Sequence, residues 1–239
     1  MKTLTAAIGL LTRIPVPASP DAETAGRATR WFPLAGALIG GIYAALAWLA
    51  APRLPAAVVA VLLVIAEALL TGALHIDGLA DTADGFGGGR NREDILRIMR
   101  DHAIGSYGAV AIALLVAFKI AALSALLDRH AALPYLVLVP TLGRWTAAPL
   151  SRFLPYARPE KSAPAFAGTR ELLWATVLTA ALIPAFGPRR TLPCWAAAAA
   201  AAAAFGAFCH RKIGGITGDT LGAAIEIAEC AVLLSALLV

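Results

Sequence analysis

Three aspartates in the first half of the chain have a spacing that suits a cation or phosphate site. Asp77, Asp81 and Asp84 fall in the segment His-Ile-Asp-Gly-Leu-Ala-Asp-Thr-Ala-Asp-Gly (75–85), and offsets of four and seven residues place them on one face of a helix. Like charges stacked in this way repel one another unless a cation neutralises them. A divalent cation such as Mg²⁺ suits the segment, because it binds carboxylate oxygens together with substrate phosphates. A solvated acidic helix end is the alternative interpretation.

A run of glycines follows the aspartates directly. Gly87 and Gly88 belong to the segment Gly-Phe-Gly-Gly-Gly (85–89), and glycines let backbone amides approach a bound phosphate closely. We therefore predict a phosphate-binding loop, although most glycine runs are flexible joints. Asp81 and Asp84, which immediately precede the run, are the expected core ligands of the cation, with the third aspartate as a further ligand.

The stretch 92–101 combines helical periodicity with basic side chains. Its apolar residues fall on one face, and Arg97 and Arg100 lie largely off that face. These arginines are expected to grip phosphate oxygens in bidentate fashion, or else to anchor an interfacial helix among lipid headgroups. Asp101, which ends the stretch, is predicted to be a catalytic group or metal ligand, or only the ion-pair partner of a neighbouring arginine.

A second glycine-rich turn, Gly-Gly-Ile-Thr-Gly-Asp-Thr (214–220), opens the last apolar stretch of the chain. Asp219 is the leading candidate to share the cation or to accept a proton from a substrate hydroxyl. Gly215, Thr217 and Thr220 are predicted to contact the substrate or its phosphates. Helix capping is the competing interpretation of Asp219 and Thr220, because both residue types cap helices well.

The composition places these groups in a membrane protein. Of 239 residues, 59% are hydrophobic and 15% are charged, whereas a soluble domain is about 45–50% apolar and about 25% charged. A net charge of +5 in so apolar a chain indicates cationic loops beside a membrane and not a nucleic-acid partner. Three cysteines, an odd number within or beside apolar runs, do not make a disulfide scaffold.

Seven nearly uncharged apolar segments are long enough to be read as membrane spans. They are residues 33–52, 56–75, 108–127, 131–149, 171–187, 194–209 and 222–239. We therefore predict an all-α integral membrane protein, a bundle of about seven transmembrane helices that forms a single domain over residues 1–239. Residues 1–31 precede the first span and are expected to form a cytoplasmic or interfacial segment.

The distribution of basic residues predicts the orientation. Of the 20 lysines and arginines, fourteen fall on the side of the amino terminus, four fall on the other side, and Lys119 and Arg144 lie within spans. The positive-inside rule then places the amino terminus in the cytoplasm and the carboxyl terminus outside. Loops 76–106 and 210–221 both become cytoplasmic, and we expect them to converge on one active site at this face.

Ionisable residues inside the spans form a separate group. Lys119 lies near the middle of the third span, Glu67 lies in the second, and Glu226 lies in the last. Charged groups in hydrocarbon are costly and by default face the interior of the bundle. We expect Lys119 to pair with Glu226 or with Glu67.

Segments spread over nearly the whole chain resemble those of the cobalamin synthase family of membrane enzymes. The two most specific are residues 75–85, quoted above, and Gly-Gly-Ile-Thr-Gly-Asp-Thr-Leu-Gly-Ala (214–223). Others are Leu-Thr-Arg-Ile-Pro-Val-Pro (11–17) and Pro-Tyr-Ala-Arg (155–158). The stretch after Arg158 departs from the family, which usually has a glycine-containing turn there.

The resemblance implies a reaction and a cofactor. Members of the family transfer a phosphoryl-linked cobinamide from adenosylcobinamide-GDP to a ribose hydroxyl of α-ribazole or its 5′-phosphate, release GMP, and use Mg²⁺. Substrate binding by Arg158 is implied as well. Phosphoryl transfer depends mainly on positioning and on charge neutralisation by cations, which agrees with metal-binding Asp77, Asp81 and Asp84 and with Asp84 or Asp219 as the catalytic carboxylate.

Two other functions remain as alternatives on the sequence. The pattern Asp81-x-x-Asp84-Gly85 resembles the opening of the CDP-alcohol phosphotransferase motif, although the rest of that motif is missing from this sequence. A divalent-cation transporter would line its path with the three aspartates and Glu226, but such a path needs polar groups at the far face too. The sequence leaves the oligomeric state open and is compatible with an oligomer.

Overall fold

The computed structural model describes residues 2–16, 20–129, 132–158 and 167–239, apart from the side chain of Ile183. Within these residues the chain is helical, and its only β-type pairing is one parallel bridge between Tyr156 and Ile216. The helices are α1 (Lys2–Leu11), α2 (Ala22–Ala28), α3 (Phe32–Ala50), α4 (Ala56–Thr71), α5 (Leu74–Gly88), α6 (Arg92–Ile98), α7 (Ser106–Asp128), α8 (Ala132–Trp145), α9 (Ala147–Phe153), α10 (Thr169–Ala180), α11 (Leu182–Phe186), α12 (Pro188–Ile213) and α13 (Gly218–Leu238). A short 3-10 turn, Thr29–Trp31, joins α2 to α3.

Several of these helices are long and apolar enough to cross a membrane. In the described part of the chain they are Ala22–Ala50, which contains α2 and α3, and then α7, α12 and α13. Helices α4 and α5 meet the same criteria only as a pair, bent by 89° at their junction, which gives up to five spans. The chain is an all-α multi-pass membrane protein, as predicted, but the count of seven spans is not reproduced.

Prolines divide two of the predicted spans. Residues 131–149 form α8 and α9, and residues 171–187 are divided between α10 and α11. Pro149 and Pro184 each stand four residues after the last residue of the preceding helix. Because proline has no amide hydrogen to donate to that carbonyl, the helix ends there. The alanine-rich span predicted at 194–209, by contrast, lies within the 26-residue helix α12.

Glycines bring α3 and α8 into close contact. A Cβ atom on Gly40 would lie 2.5 Å from the Leu136 carbonyl oxygen, and one on Gly36 would overlap the Pro140 carbonyl. Small residues at a crossing are the usual way in which membrane helices approach each other. The crossing fixes α3, and with it the amino-terminal helices that precede it, on the bundle.

The turn between α4 and α5 redirects the chain across the bundle. Gly72 and Ala73 have positive φ angles of 64° and 57°, a conformation that costs glycine little because it has no Cβ. The backbone amide of Arg13 donates to the Leu70 carbonyl at 2.7 Å, so the segment after α1 is attached at the same point. Helix α5 therefore leaves α4 at 89° and packs against α7 and α13.

Helices α7 and α13 run in the same direction. Their last turns lie together, because the Arg129 guanidinium donates to the Leu237 carbonyl at 2.9 Å, and their first turns both contact α5. The apolar core between them is formed mainly by α3, α4, α7, α8 and α13. Two helix amino termini therefore face α5 at one end of the bundle, where helix dipoles favour negative charge.

Candidate active site

Glycines allow α5 to cross α13 at close range. A Cβ atom on Gly78 of α5 would lie 2.7 Å from the Asp219 carbonyl oxygen, and one on Gly222 of α13 would lie 3.2 Å from His75 Cα. Contacts this short have no room for a larger side chain in either helix. The two segments most specific in the sequence, which are more than a hundred residues apart in the chain, are therefore in direct contact.

Asp84 holds the beginning of α7. Its Oδ2 accepts a hydrogen bond from the Gly105 amide at 2.7 Å, and its Oδ1 accepts one from the Gly108 amide at 2.9 Å. Amides in the first turn of a helix have no partner within the helix, and its dipole stabilises a carboxylate there. Both oxygens of Asp84 are thus committed to α7, whereas the sequence predicted a core cation ligand and catalytic group.

Asp77 and Asp219 line a common cavity of about 280 Å³ between α5 and the first turn of α13. Arg158 reaches the same carboxylate, because its Nη2 donates to Asp219 Oδ2 at 2.7 Å and approaches the Met99 carbonyl at 3.4 Å. Both side chains of this ion pair are mostly buried. The site therefore brings together two carboxylates and one guanidinium that the sequence separates widely.

Asp81 lies within the electrostatic field of these groups. Its partial burial and the negative charges of Asp77, Asp219 and Asp84 raise the pKa of its carboxyl group to about 6, and Arg158 acts in the opposite direction. A carboxyl crowded by other carboxylates favours a bound proton or a cation over the free anion. The acidic face of α5 therefore has the electrostatics of a cation site.

The donor set fits Mg²⁺, but not as the sequence predicted. Among the described residues, one group of carboxylates is close enough to share a single ion, namely Glu67, Glu226 and Glu229. The three aspartates of α5 do not form such a cage. Mg²⁺ often takes only one or two carboxylates and completes its shell with substrate phosphates and water. Asp77, which lines the cavity, and Asp81, which feels the charges of Asp77 and Asp219, suit that mode of binding.

The glycines after Asp84 do not form the predicted loop. Gly85 to Gly88 complete α5, and amides within a helix donate to its own carbonyls. Packing explains the run, because a Cβ atom on Gly85 would lie 2.5 Å from Met99 Cγ and one on Gly87 would lie 2.6 Å from the Tyr107 ring. The prediction that Gly87 and Gly88 offer amides to a phosphate is therefore contradicted. The end of α5 presents carbonyls, which favour cations.

The turn before α13 pairs with the segment that carries Arg158. The Ile216 amide donates to the Pro155 carbonyl at 2.9 Å, and its carbonyl accepts from the Ala157 amide at 2.8 Å. A Cβ atom on Gly215 would overlap the Pro155 carbonyl. Gly215 is thus needed for backbone approach, and the pairing delivers Arg158 to the first turn of α13.

Thr217 and Thr220 cap α13. The Thr217 hydroxyl accepts from the Thr220 amide at 3.2 Å, and the Thr217 amide donates to the Thr220 hydroxyl at 2.7 Å. Both residues are buried. Capping, the competing interpretation of Thr220, therefore accounts for both threonines, while Asp219 between them directs its carboxylate to Arg158.

Arg92 is the arginine of α6 that links the segments around the site. Its Nε donates to the Ile213 carbonyl at 2.9 Å, and its Nη2 donates to the Ala157 carbonyl at 2.5 Å. These bonds join α6 to the end of α12 and to the segment before Arg158. Sequence reasoning missed this role, because helical periodicity does not distinguish a basic residue that reaches backbone carbonyls from one that faces solvent.

The other predicted charges of this region lie at the surface. Arg97 is exposed and pairs with Asp94 one turn earlier at 3.4 Å, and Arg100 is exposed as well. Asp101 is exposed, and its Oδ1 accepts from the Ala103 amide at 3.1 Å. Asp101 thus shapes the turn that leads into α7. None of the three lines the cavity shared by Asp77 and Asp219.

A second polar cluster lies inside the bundle. Lys119 donates to both carboxylate oxygens of Glu67 at 2.8 Å, to Glu226 Oε2 at 2.5 Å and to Glu229 Oε2 at 2.6 Å. Arg144 pairs with the other oxygen of Glu229. All five side chains are buried. The structure thus joins Lys119 to both glutamates that the sequence proposed and adds a third, together with a second cation.

Arg144 connects this cluster to the cavity. Its Nη2 lies 3.4 Å from His75 Nδ1, and His75 lines the cavity that Asp77 and Asp219 share. Sequence reasoning noted Arg144 only as a charge within a span. Its position within an apolar span could have predicted this role, because an ionisable residue in hydrocarbon needs partners in the bundle interior.

These features define an integral membrane protein with a charged site at one end of its helical bundle. The family model described as cobalamin-5-phosphate synthase matches residues 3–238 of the chain. The chain belongs to the cobalamin-5-phosphate synthase family.

Curated relatives agree with this assignment over nearly their whole length. The adenosylcobinamide-GDP ribazoletransferase of Ralstonia nicotianae is 42% identical over 240 residues, which cover 97% of this chain and 93% of the relative. Those of Syntrophobacter fumaroxidans and Prosthecochloris aestuarii are 42% identical over 210 residues and 38% identical over 242 residues. The former alignment covers 86% of this chain and 84% of the relative, and the latter 98% and 97%. No solved structure matches the chain.

Proposed function

We propose that the protein is an adenosylcobinamide-GDP ribazoletransferase that uses Mg²⁺. One observation carries the proposal: the crossing of α5 over α13 places Asp77 and Asp219 at one cavity, with Arg158 bound to Asp219 and with Asp81 in the electrostatic field of all three. Transfer of a phosphoryl group between oxygens needs cation ligands, a guanidinium for phosphate oxygens and a proton acceptor, held in fixed positions. The curated relatives are named for this reaction over nearly the full length of the chain.

The reaction exchanges one phosphorus–oxygen bond for another. The oxygen of a ribose hydroxyl on α-ribazole, or on its 5′-phosphate, attacks the phosphorus that carries cobinamide. The bond from that phosphorus to the bridging oxygen of the diphosphate breaks, and GMP leaves with the bridging oxygen. The hydroxyl proton passes to a carboxylate of the protein. The products are adenosylcobalamin, or its 5′-phosphate, and GMP.

Asp219 is the carboxylate that we assign as proton acceptor. It lies at the cavity, and Arg158 fixes one of its oxygens at 2.7 Å. A general base must be held within hydrogen-bond reach of the hydroxyl that it deprotonates. Arg158 Nε is buried without a hydrogen-bond partner in the described part of the chain, so the same guanidinium has a donor to spare for a phosphate oxygen.

Asp77 and Asp81 are the residues that would hold Mg²⁺. When bound, the ion would neutralise the negative charge of the diphosphate and of the departing GMP. The raised pKa of Asp81 supports this assignment, because partial burial and then repulsion by neighbouring carboxylates disfavour its free anion, and a bound cation would relieve that repulsion. Asp84 contributes by holding α7 against this face.

We further propose that the site faces the cytoplasm at a bacterial inner membrane. The supporting observation is the excess of lysine and arginine on the side of the amino terminus, which the positive-inside rule places in the cytoplasm. The first turns of α7 and α13 and the last residues of α12 lie on that side. Both substrates are polar and soluble, and they would reach the site without crossing the bilayer.

The test uses the purified protein in lipid nanodiscs. We expect GMP release when adenosylcobinamide-GDP, α-ribazole and Mg²⁺ are all present, and loss of release when EDTA is added or α-ribazole is omitted. CMP release from a CDP-alcohol donor without any GMP would contradict the proposal in favour of a phosphatidyltransferase. Metal flux into proteoliposomes without GMP formation would contradict it in favour of a transporter.

A further inference from the structure

The cavity beside Asp219 has one polar wall and several apolar ones. His75, Asp77 and Asp219 lie on the α5 and α13 side. Most of the remaining lining is apolar, with side chains of Leu10, Leu11, Ala25, Phe32, Leu74 and Leu221, and the hydroxyl-bearing residues Thr29, Ser151 and Tyr156 also border it. Its volume of about 280 Å³ is near the lower end of the range for small-molecule sites, ~300–1,000 Å³.

His75 borders this cavity while its ring lies in the protein interior. The side chain is 2% exposed, and its Nε2 is buried without a hydrogen-bond partner among the described residues. Its Nδ1 lies 3.4 Å from Arg144 Nη2. The cavity therefore borders the buried cluster of ion pairs through His75.

The amino-terminal helices cover the apolar side of the cavity. The Trp31 indole nitrogen donates to the Thr3 hydroxyl at 3.0 Å, and the Arg13 amide donates to the Leu70 carbonyl at 2.7 Å. These bonds attach α1 to the 3-10 turn before α3 and to the end of α4. Helices α1 and α2 and the 3-10 turn therefore supply a wall of the site, in addition to any contact with the membrane surface.

We infer that this cavity binds the base of the acceptor nucleoside, with the ribose at the Asp219 wall. The inference rests on the proposed function, in which the acceptor is α-ribazole, a nucleoside with an apolar bicyclic aromatic base. Such a base matches the leucine and phenylalanine side chains of the lining, whereas guanine carries donors and acceptors along its edges that this mostly apolar lining would leave largely unpaired. The corrin ring system is far larger than the cavity.

Occlusion of the cavity tests the inference directly. Ala25→Phe and Leu221→Phe add volume from two different walls, and Ala22→Phe, at an exposed position of α2 outside the lining, is the matched control. We expect both wall variants to raise the KM for α-ribazole by about tenfold or more, with the KM for adenosylcobinamide-GDP within about twofold of wild type. The control should leave both constants unchanged. Thermal unfolding identifies any variant that does not fold, and the other wall variant then decides.

The outcomes distinguish the inference from the proposed function. If wild-type protein releases no GMP, the proposed function fails. If it releases GMP but the wall variants keep the wild-type KM for α-ribazole, or raise instead the KM for adenosylcobinamide-GDP, the acceptor does not occupy this cavity and the inference is overturned.

Discussion

Asp81 and Asp84 lie three residues apart on α5 and make different contacts. Asp84 binds two amides at the start of α7, and such contacts stabilise the fold. Asp81 lies among other carboxylates, so its environment raises its pKa to about 6 and opposes the charged state. A residue whose charged form the fold disfavours, and which lies near the carboxylates of a cavity, is a candidate for function.

We therefore expect substitutions of the two aspartates to have different effects on the stability of the protein. Asp84→Ala should lower the free energy of unfolding by about 1–2 kcal/mol, as expected for loss of a helix cap. Asp81→Asn should leave the unfolding temperature unchanged or raise it, because it removes repulsion. Thermal unfolding of both purified variants in the same detergent measures the difference. Equal losses of unfolding free energy in the two variants would contradict a stabilising role for the capping contact of Asp84.

The buried cluster predicts a strong dependence on Lys119. Removing its charge by Lys119→Met leaves three buried glutamates with Arg144 as their remaining basic partner among the described contacts. Breaking a buried ion pair typically costs about 3–5 kcal/mol, because an uncompensated charge remains.

Glu226→Gln should therefore partly restore the folded yield and unfolding temperature of Lys119→Met, since it removes one of the unpaired charges. The measurement is a double-mutant cycle on detergent-solubilised protein, with monodisperse yield and unfolding temperature as readouts. Strictly additive losses would argue against the ionic pairing.

At the scale of elements, the position of α5 depends on small residues at its crossing with α13. Gly78→Ala would place a Cβ atom 2.7 Å from the Asp219 carbonyl oxygen, which has to move. We expect this variant to lose most of its GMP-releasing activity because Asp219 and Arg158 shift relative to α5.

Gly88→Ala on the same helix is the matched control. Its Cβ atom would meet the nearest atom, Ile98 Cδ1, at 3.4 Å, an ordinary contact. Activity within about twofold of wild type is expected, because alanine is better than glycine in a helix. A large loss in Gly88→Ala with a mild effect of Gly78→Ala would reinstate the phosphate-binding glycine loop.

Sequence patterns predicted where helices form better than they predicted where helices break. The spacing of Asp77, Asp81 and Asp84 indicated a helix, and α5 is one. The glycine run was interpreted as a loop, because glycine weakens helices on average, yet here the neighbouring side chains of Met99 and Tyr107 require it. Helix propensity describes an isolated segment. These contacts instead come from the residue after α6 and from the first turn of α7.

At the scale of the whole molecule, composition and charge predicted the membrane class, and the structure agrees. The number of spans was not predictable in the same way, because Pro149 and Pro184 break helices inside stretches whose hydropathy is continuous. Residues 75–85 and 214–223 meet in a tertiary contact. Hydropathy predicts only that the two segments lie at the same face of the membrane, and not that they touch. Arg92 gained its role from another tertiary contact, which joins α6 to the end of α12 and to the segment before Arg158.

The orientation of the bundle is testable by labelling. Arg90→Cys and Arg211→Cys introduce thiols at exposed positions near the site, and Arg53→Cys introduces one at the turn after α3. In sealed inverted membrane vesicles, a membrane-impermeant maleimide should label the first two and not the third. Wild type serves as the background, because two of its three cysteines are buried and the third is partly buried. Labelling of Arg90→Cys and Arg211→Cys from opposite sides would contradict the shared face.

The central claim is that α5 and α13 jointly form one phosphoryl-transfer site. Its most direct test is the rate of GMP release at saturating adenosylcobinamide-GDP, α-ribazole and Mg²⁺ for wild type, Asp81→Asn, Asp219→Asn and the surface control Asp101→Asn. We expect the Asp81 and Asp219 variants to lose kcat by about a hundredfold or more, as for removal of groups that act in the transition state, with unfolding temperatures near wild type. Asp101→Asn should retain its rate. Near-wild-type GMP release by both Asp81→Asn and Asp219→Asn would contradict the claim.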